Sequence, residues 1–148
     1  MAGFGVASLN AKLTPMLTLT IARFDVDPDA VTDILGLTPT SVARRGEPRP
    51  SGRLHDFNIW HLELHAAPLV DGGEHENALA KLIGQLKGRE HLFAELAKTV
   101  GPGSVSIYGG FYVSDEQQGI WLKPEQMAVL AACGIGWGLD LFEAAMLS

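Results

Sequence analysis

The sequence predicts an α+β domain. It reads as a two-layer sandwich in which a mostly antiparallel sheet of about five strands carries its helices on one face, with a ferredoxin-like arrangement. Three observations lead there. Segments of period-two alternation recur along the chain, helical segments separate them, and each helical segment has a single apolar stripe, which suits a sheet covered on one side. With 148 residues, 47% hydrophobic and 19% charged, the chain can bury a sizeable core as one unit.

From Met16, Leu17, Leu19 and Ile21 alternate with Thr18, Thr20 and Ala22, the pattern of a strand with one buried face. Residues 1–15 are expected to form a loosely attached arm, and residues 16–148 a single domain. "DPDAVTDILGLTP" holds an acidic cap region, Pro28 in the first turn, apolar Val31, Ile34 and Leu35, and Gly36 as a stop, which predicts a short helix. In "FNIWHLELH", Trp60, Leu62 and Leu64 alternate with His61, Glu63 and His65, the second strand. Leu79, Leu82, Ile83 and Leu86, then Leu92, Phe93, Leu96 and Val100, have helical spacing, with Gly88 breaking them into two helices.

"GPGSVSIYGGFYV" is read as a third strand with a bend at Gly109-Gly110, and "GIWLK", residues 119–123, as a short fourth strand completing a hairpin. Pro124 opens a last helix that Gly134 closes, and Ile135, Trp137, Leu139 and Leu141 alternate in the fifth strand. The pattern of a proline-initiated helix ended by glycine occurs at Pro28–Gly36 and again at Pro124–Gly134, which suggests the two halves of a ferredoxin-like unit.

Composition also excludes functions. A net charge of −6 argues against the broad basic surface needed to bind nucleic acid or anionic membranes. No run reaches the roughly 18 apolar residues of a membrane span, and the opening segment lacks the basic and apolar regions of a signal peptide. Cys133, the single cysteine, can form no internal disulfide, and with no His, Lys or Arg beside it reads as a buried packing thiol. A cytoplasmic location is expected.

The strongest candidate for chemistry is "SVARRGEPRPSGR", in which Arg44, Arg45, Arg49 and Arg53 are offset only by Glu47 and the following Asp56. A carboxylate or phosphate is the natural ligand of such guanidinium groups. The competing reading pairs the arginines internally with Asp25, Asp27 and Asp29. Gly46 marks a backbone turn that fixes where the Arg45 guanidinium points.

His61, Glu63 and His65 share a strand face at a spacing that lets two imidazoles hold one metal, with Asp140 or His55 as the third ligand. Without a second ligand cluster they read as ordinary histidines on a polar face, and no metal or cofactor is expected. Phe24, Tyr108, Tyr112, Trp121 and Phe142 are expected to face away from the helices. That makes an amphipathic surface suited to a protein partner, a second copy or the N-terminal arm, unless a slip at Gly109-Gly110 moves Phe111 or Tyr112 into the core. No Walker A, G-x-S-x-G or readable Cys-His motif is present.

"DPDAVTDILGLTPT", "RRGE" at Arg44 to Glu47, Trp60 and the terminal "GLDLF" together resemble the bacterial family called domain of unknown function 4279, over about residues 16–143. The resemblance implies a small cytoplasmic domain without an established activity, and by analogy with domains found near toxin and immunity genes, a binding partner. The terminal Asp-x-Tyr associated with the family is Asp140-Leu141-Phe142 here, so a role requiring a phenol hydroxyl does not carry over.

The leading expectation is therefore a non-enzymatic, immunity-like interaction domain. Its recognition residues are Arg44, Arg45, Arg49, Arg53, Tyr108, Tyr112, Trp121 and Asp140, with Arg45 as the charged anchor and Trp121 or Tyr108 as the apolar one. The rivals are a sensor of a small anionic ligand at the Arg44–Arg53 loop, and a metal-dependent hydrolase using His61, His65 and Glu63.

Overall fold

β1 (Met16–Phe24) is the central strand of a five-stranded sheet, flanked by β3 (Asn58–His65) and β4 (Val105–Val113). β2 (Ser41–Ala43) forms one edge beside β3, and β5 (Gly136–Glu143) the other beside β4. This computed structural model describes residues 16–65, 73–100, 105–113 and 119–143, excepting the side chains of Met16, Tyr108 and residues 110–113 and 140–143. The expected arm over residues 1–15 lies outside the described residues.

Three of the four strand pairings are antiparallel, and only β4 and β5 run parallel. A parallel pair needs a crossover, and α4 (Pro124–Ala132) supplies it. The other helices are α1 (Pro28–Leu35), between β1 and β2, and the pair α2 (Glu74–Leu86) and α3 (Glu90–Val100), between β3 and β4.

The period-two reading of β1 and β3 is borne out. Leu17, Leu19, Ile21, Trp60, Leu62 and Leu64 are buried, and their neighbours Thr18, Thr20, His61 and Glu63 on the opposite face are half-buried. Against the apolar face pack Val31 and Leu35 of α1, Leu79, Leu82 and Leu86 of α2, Phe93 and Leu96 of α3, and Val129 and Leu130 of α4, in one continuous core. All four helices thus lie on one side. The indole Nε1 of Trp60 donates to Thr32 Oγ1 at 3.0 Å, so the largest fully buried side chain also satisfies its polar atom.

Helix ends follow the punctuation seen in the sequence. Asp27 caps α1 by accepting from the Asp29 amide at 2.9 Å, and Gly36 ends it at φ 66° with its N–H bonded to Thr32. Gly88, at φ 85°, separates α2 from α3, where the Arg89 guanidinium donates to the carbonyls of Leu35 and Gln85 and so ties the ends of α1 and α2 together. Cys133 is buried at the end of α4, and burial pushes its thiol up to about 11.

Three expectations need correction. Residues 119–123 form no strand: Ile120 and Leu122 pack against the core while Trp121 stands out at 73% exposure, its amide donating to Glu76 of α2 at 3.0 Å. The fifth strand is instead β2, whose three residues are too few to show a period. Nor are the two proline-initiated helices equivalent halves. β1 to β4 with α1 and the α2–α3 pair carry the β-α-β-β-α-β order of a ferredoxin-like unit, and α4 with β5 extend its β4 edge. Lastly, Phe24 is buried in the core, for a reason that also shapes the candidate site.

β4 keeps an unbroken register with β5 from Ser106 opposite Gly136 to Val113 opposite Glu143, so Gly109-Gly110 introduces no slip. Among the described residues, no helix is long and apolar enough to cross a membrane.

Candidate functional site

The site begins with a fault in the central strand. Ala22 pairs with Ile59, but Phe24 pairs with Asn58, so one residue of β1, Arg23, has no counterpart. Arg23 adopts φ 63°, the left-handed conformation that non-glycine residues rarely take. This bulge reverses the alternation. Phe24, which would have faced away from the helices in an unbroken strand, enters the core, and the Arg23 guanidinium comes to lie 5.3 Å above the ring of Phe57.

The arginine-rich segment is an ordered hairpin rather than an irregular loop. The Arg44 carbonyl accepts from Glu47 N–H at 3.0 Å with Gly46 at φ 88°, while Gly46 N–H and Glu47 C=O both bond His55, so two residues oppose one in a glycine bulge. Pro48 then bridges to Leu54, and Arg49 N–H donates to the Arg53 carbonyl. Between them Pro50-Ser51-Gly52 makes a three-residue turn ending at Gly52, φ 88°, whose N–H returns to the Arg49 carbonyl at 2.9 Å. Proline sets the first turn residue and glycine accepts the left-handed last one, which accounts for the R-P-S-G-R spelling.

Two clamps hold the base of the hairpin to the link between β1 and α1. Buried Asn58 accepts from Arg45 N–H at 2.7 Å through Oδ1 and donates to the Val26 carbonyl at 2.8 Å through Nδ2. Arg44 grips the helix cap: its Nε and Nη2 donate to the two Asp27 oxygens at 2.9 and 3.1 Å, and Nη2 lies 3.3 Å from Asp29. The Arg44 hydrogen bonds, followed by that from the Asp29 amide, lower the Asp27 pKa, and Asp27 in turn raises that of Arg44. Internal neutralisation by acids is therefore correct for Arg44.

Between the clamps and the bulge opens a cleft of about 410 Å³, lined by Arg23, Phe24 and Asp25 from the end of β1, Asp56 and Phe57 from the start of β3, and Arg45 from the turn. Neither Arg23 nor Arg45 forms an ion pair with a carboxylate among the described residues. The cleft offers two guanidinium groups as donors, two carboxylates as acceptors, and aromatic surface beside them. Such a set can orient a charged ligand that also presents an apolar or planar part.

Of the residues expected from sequence, Arg45 lines this cleft, and Arg44 braces it. Arg49 and Arg53 lie farther out on the hairpin, directly opposite one another. Trp121 belongs to the segment whose Ile120 and Leu122 pack against the core and whose amide bonds Glu76 of α2, and it does not line the cleft. Tyr108 and Asp140 occupy positions opposite Gly138 and Gly110, and Tyr112 a position opposite Phe142, but their side chains lie outside the described residues.

His65 Nε2 lies 3.3 Å from Glu63 Oε2, while half-buried His61, in register with Thr20 and Ser41, has its pKa lowered by desolvation, an effect Glu63 partly opposes. Among the described residues, no group of three or more His, Cys, Asp or Glu side chains is placed to hold a metal ion.

Arg23, Asn58 and Phe57 were not anticipated. One signal in the sequence points to the first: the apolar positions 17, 19 and 21 continue at Phe24 rather than at 23, which marks an extra residue in the strand. No curated protein and no solved structure matches the chain significantly. Residues 11–142 match a family model, a range that takes in β1 to β4, the Arg44-Arg45-Gly46 turn and all but the last residue of β5, and the chain belongs to that family, domain of unknown function (DUF4279).

Proposed function

We propose that the domain is a non-enzymatic binding module whose recognition site is the cleft between the β1 bulge and the hairpin base, and that it takes a small molecule bearing a carboxylate or phosphate beside an apolar or planar part. One observation supports this above the others: Arg23 and Arg45 converge on one cleft without ion-pair partners among the described residues, while their neighbour Arg44 is paired with Asp27 and Asp29. Asn58 fixes the Arg45 backbone at the edge of the cleft, the bulge sets Arg23 there, and Phe57 backs the Arg23 guanidinium. Pre-set geometry of this kind lowers the ordering cost of binding.

A thermal-shift screen of carboxylates, phosphates and nucleotides tests the reading. A ligand at a hundred times its Kd stabilises the fold by about 2.7 kcal/mol, a shift that is easily measured. Arg45→Ala should remove that shift and leave the unliganded unfolding temperature unchanged. A screen in which no compound gives an Arg45-dependent shift would overturn the proposal.

The exposure of Trp121 favours a second reading, association with another protein chain through the helical layer, since large exposed aromatic residues often anchor interfaces. For self-association, sedimentation of the wild type and Trp121→Ala decides: a dimer dissolved by the substitution supports this reading, and a wild-type monomer removes it.

A further inference from the structure

The outer part of the hairpin carries a second constellation that the cleft does not use. In an antiparallel hairpin directly opposed residues share a face and successive residues alternate, so Glu47, Arg49, Arg53 and His55 lie on one face, and Pro48 and Leu54 on the other. Arg49 and Arg53 are thus like charges placed directly across from each other, an arrangement that destabilises a hairpin unless something of opposite charge accompanies it. The acid on that face does not compensate them: Glu47 Oε1 accepts from Arg44 N–H at 2.7 Å, and neither arginine forms an ion pair among the described residues.

Two polar atoms of the same face are withdrawn from solvent and have no hydrogen-bond partner, Arg49 Nε and His55 Nδ1. Buried polar atoms are seldom left unmatched. The guanidinium nitrogen can only donate, and the imidazole nitrogen donates in one tautomer and in the protonated ring. A water molecule would answer the hydrogen bonding but not the paired charge. A group with several acceptor oxygens and more than one negative charge answers both.

We propose that Arg49, Arg53 and His55 form a binding site for a tetrahedral oxyanion, namely a phosphate group. The two arginines supply charge and forked donors, and His55 supplies a ring N–H. The site shares no residue with the cleft, so either can fail without the other.

The test titrates the full chain, at low ionic strength, with inorganic phosphate, phosphoserine and a nucleoside monophosphate, using sodium chloride at matched ionic strength as the reference. The readout is the Nε–H resonances of Arg49 and Arg53 and the ring signals of His55 in nitrogen-correlated NMR. At least one phosphate probe should displace the Arg49 Nε–H signal saturably and beyond the effect of chloride. Arg49→Gln or Arg53→Gln should weaken that binding about tenfold or more, whereas Arg45→Ala should leave it unchanged.

Equal affinity for the three probes identifies the phosphate group alone as the ligand, and preference for one carrier identifies its source. Arg49→Lys keeps the charge but loses the forked donors and should also bind more weakly, a comparison that remains available if the glutamine variant fails to fold. Displacement no greater than with chloride, or unchanged in Arg53→Gln and Arg49→Lys, would overturn the site.

Discussion

The interior beneath the helices and the arginine hairpin are held by different means. In the interior, Trp60, Leu19, Leu82 and Phe93 are fixed by close packing, and one hydrogen bond, Trp60 to Thr32, is incidental to a large buried area. The hairpin has little apolar support, with Leu54 58% exposed, and is held by backbone bonds, two left-handed glycines and the clamps through Asn58 and Arg44. Damage should therefore read out differently. The interior should lose stability, and the hairpin should lose aim.

The sharpest way to break the comparison is Trp60→Ala, expected to cost about 3–5 kcal/mol in denaturant unfolding because the cavity lies among fully buried neighbours. A cost near that of a surface substitution would mean the interior is not packed as described. Asn58→Ala comes next, at about 1–3 kcal/mol, since it leaves the Arg45 amide and the Val26 carbonyl without their partner. It should weaken ligand binding in the cleft as well, which Trp60→Ala, judged under conditions where that variant is folded, should not.

A smaller effect concerns pH. Burial lowers the His61 pKa below its ordinary 6.5, so the unfolded chain takes up this proton at a higher pH than the folded one. Stability from His61 is intact above about 6.5 and falls as pH drops from there toward the lowered native value. Thermal unfolding of His61→Gln across pH 7.5 to 5 should show a flatter decline than the wild type. The smallest change is expected for Arg44→Ala: its partners Asp27 and Asp29 are exposed, and exposed ion pairs contribute little, so the unfolding midpoint should hardly move while any Arg45-dependent binding weakens.

The two regions also differ in how far they could be read in advance. The alternation at residues 17–21 and 60–64, the glycine stops at Gly36, Gly88 and Gly134, and the proline start of α4 were all legible, because each follows from the local backbone period or from one residue's conformational limits. β2 was not legible. Three residues carry no period, and its pairing is decided by β3. Residues 119–123 misled for the converse reason: Ile120 and Leu122 alternate with Trp121 because they face a core, and facing a core does not require a strand partner.

Within the site, sequence picked out Arg44 and Arg45 but could not assign their opposite roles. Asp27 caps α1 and binds Arg44, a coincidence that arises only when the chain brings residues 17 positions apart together. Arg23 escaped notice because its importance lies in being unpaired in a strand, a property of two strands rather than one.

The amino-acid sequence alone determined that this chain forms one sheet with helices on a single side, and that a turn at Arg45-Gly46 sits among arginines, because periodicity, burial of apolar stripes and glycine's backbone freedom act over a few neighbouring residues. Only the tertiary structure decided which guanidinium groups are consumed by acids and which are left facing a cleft. Electrostatic pairing depends on distances of a few ångströms between segments far apart in the chain, and those distances are set by the strand register and the bulge at Arg23.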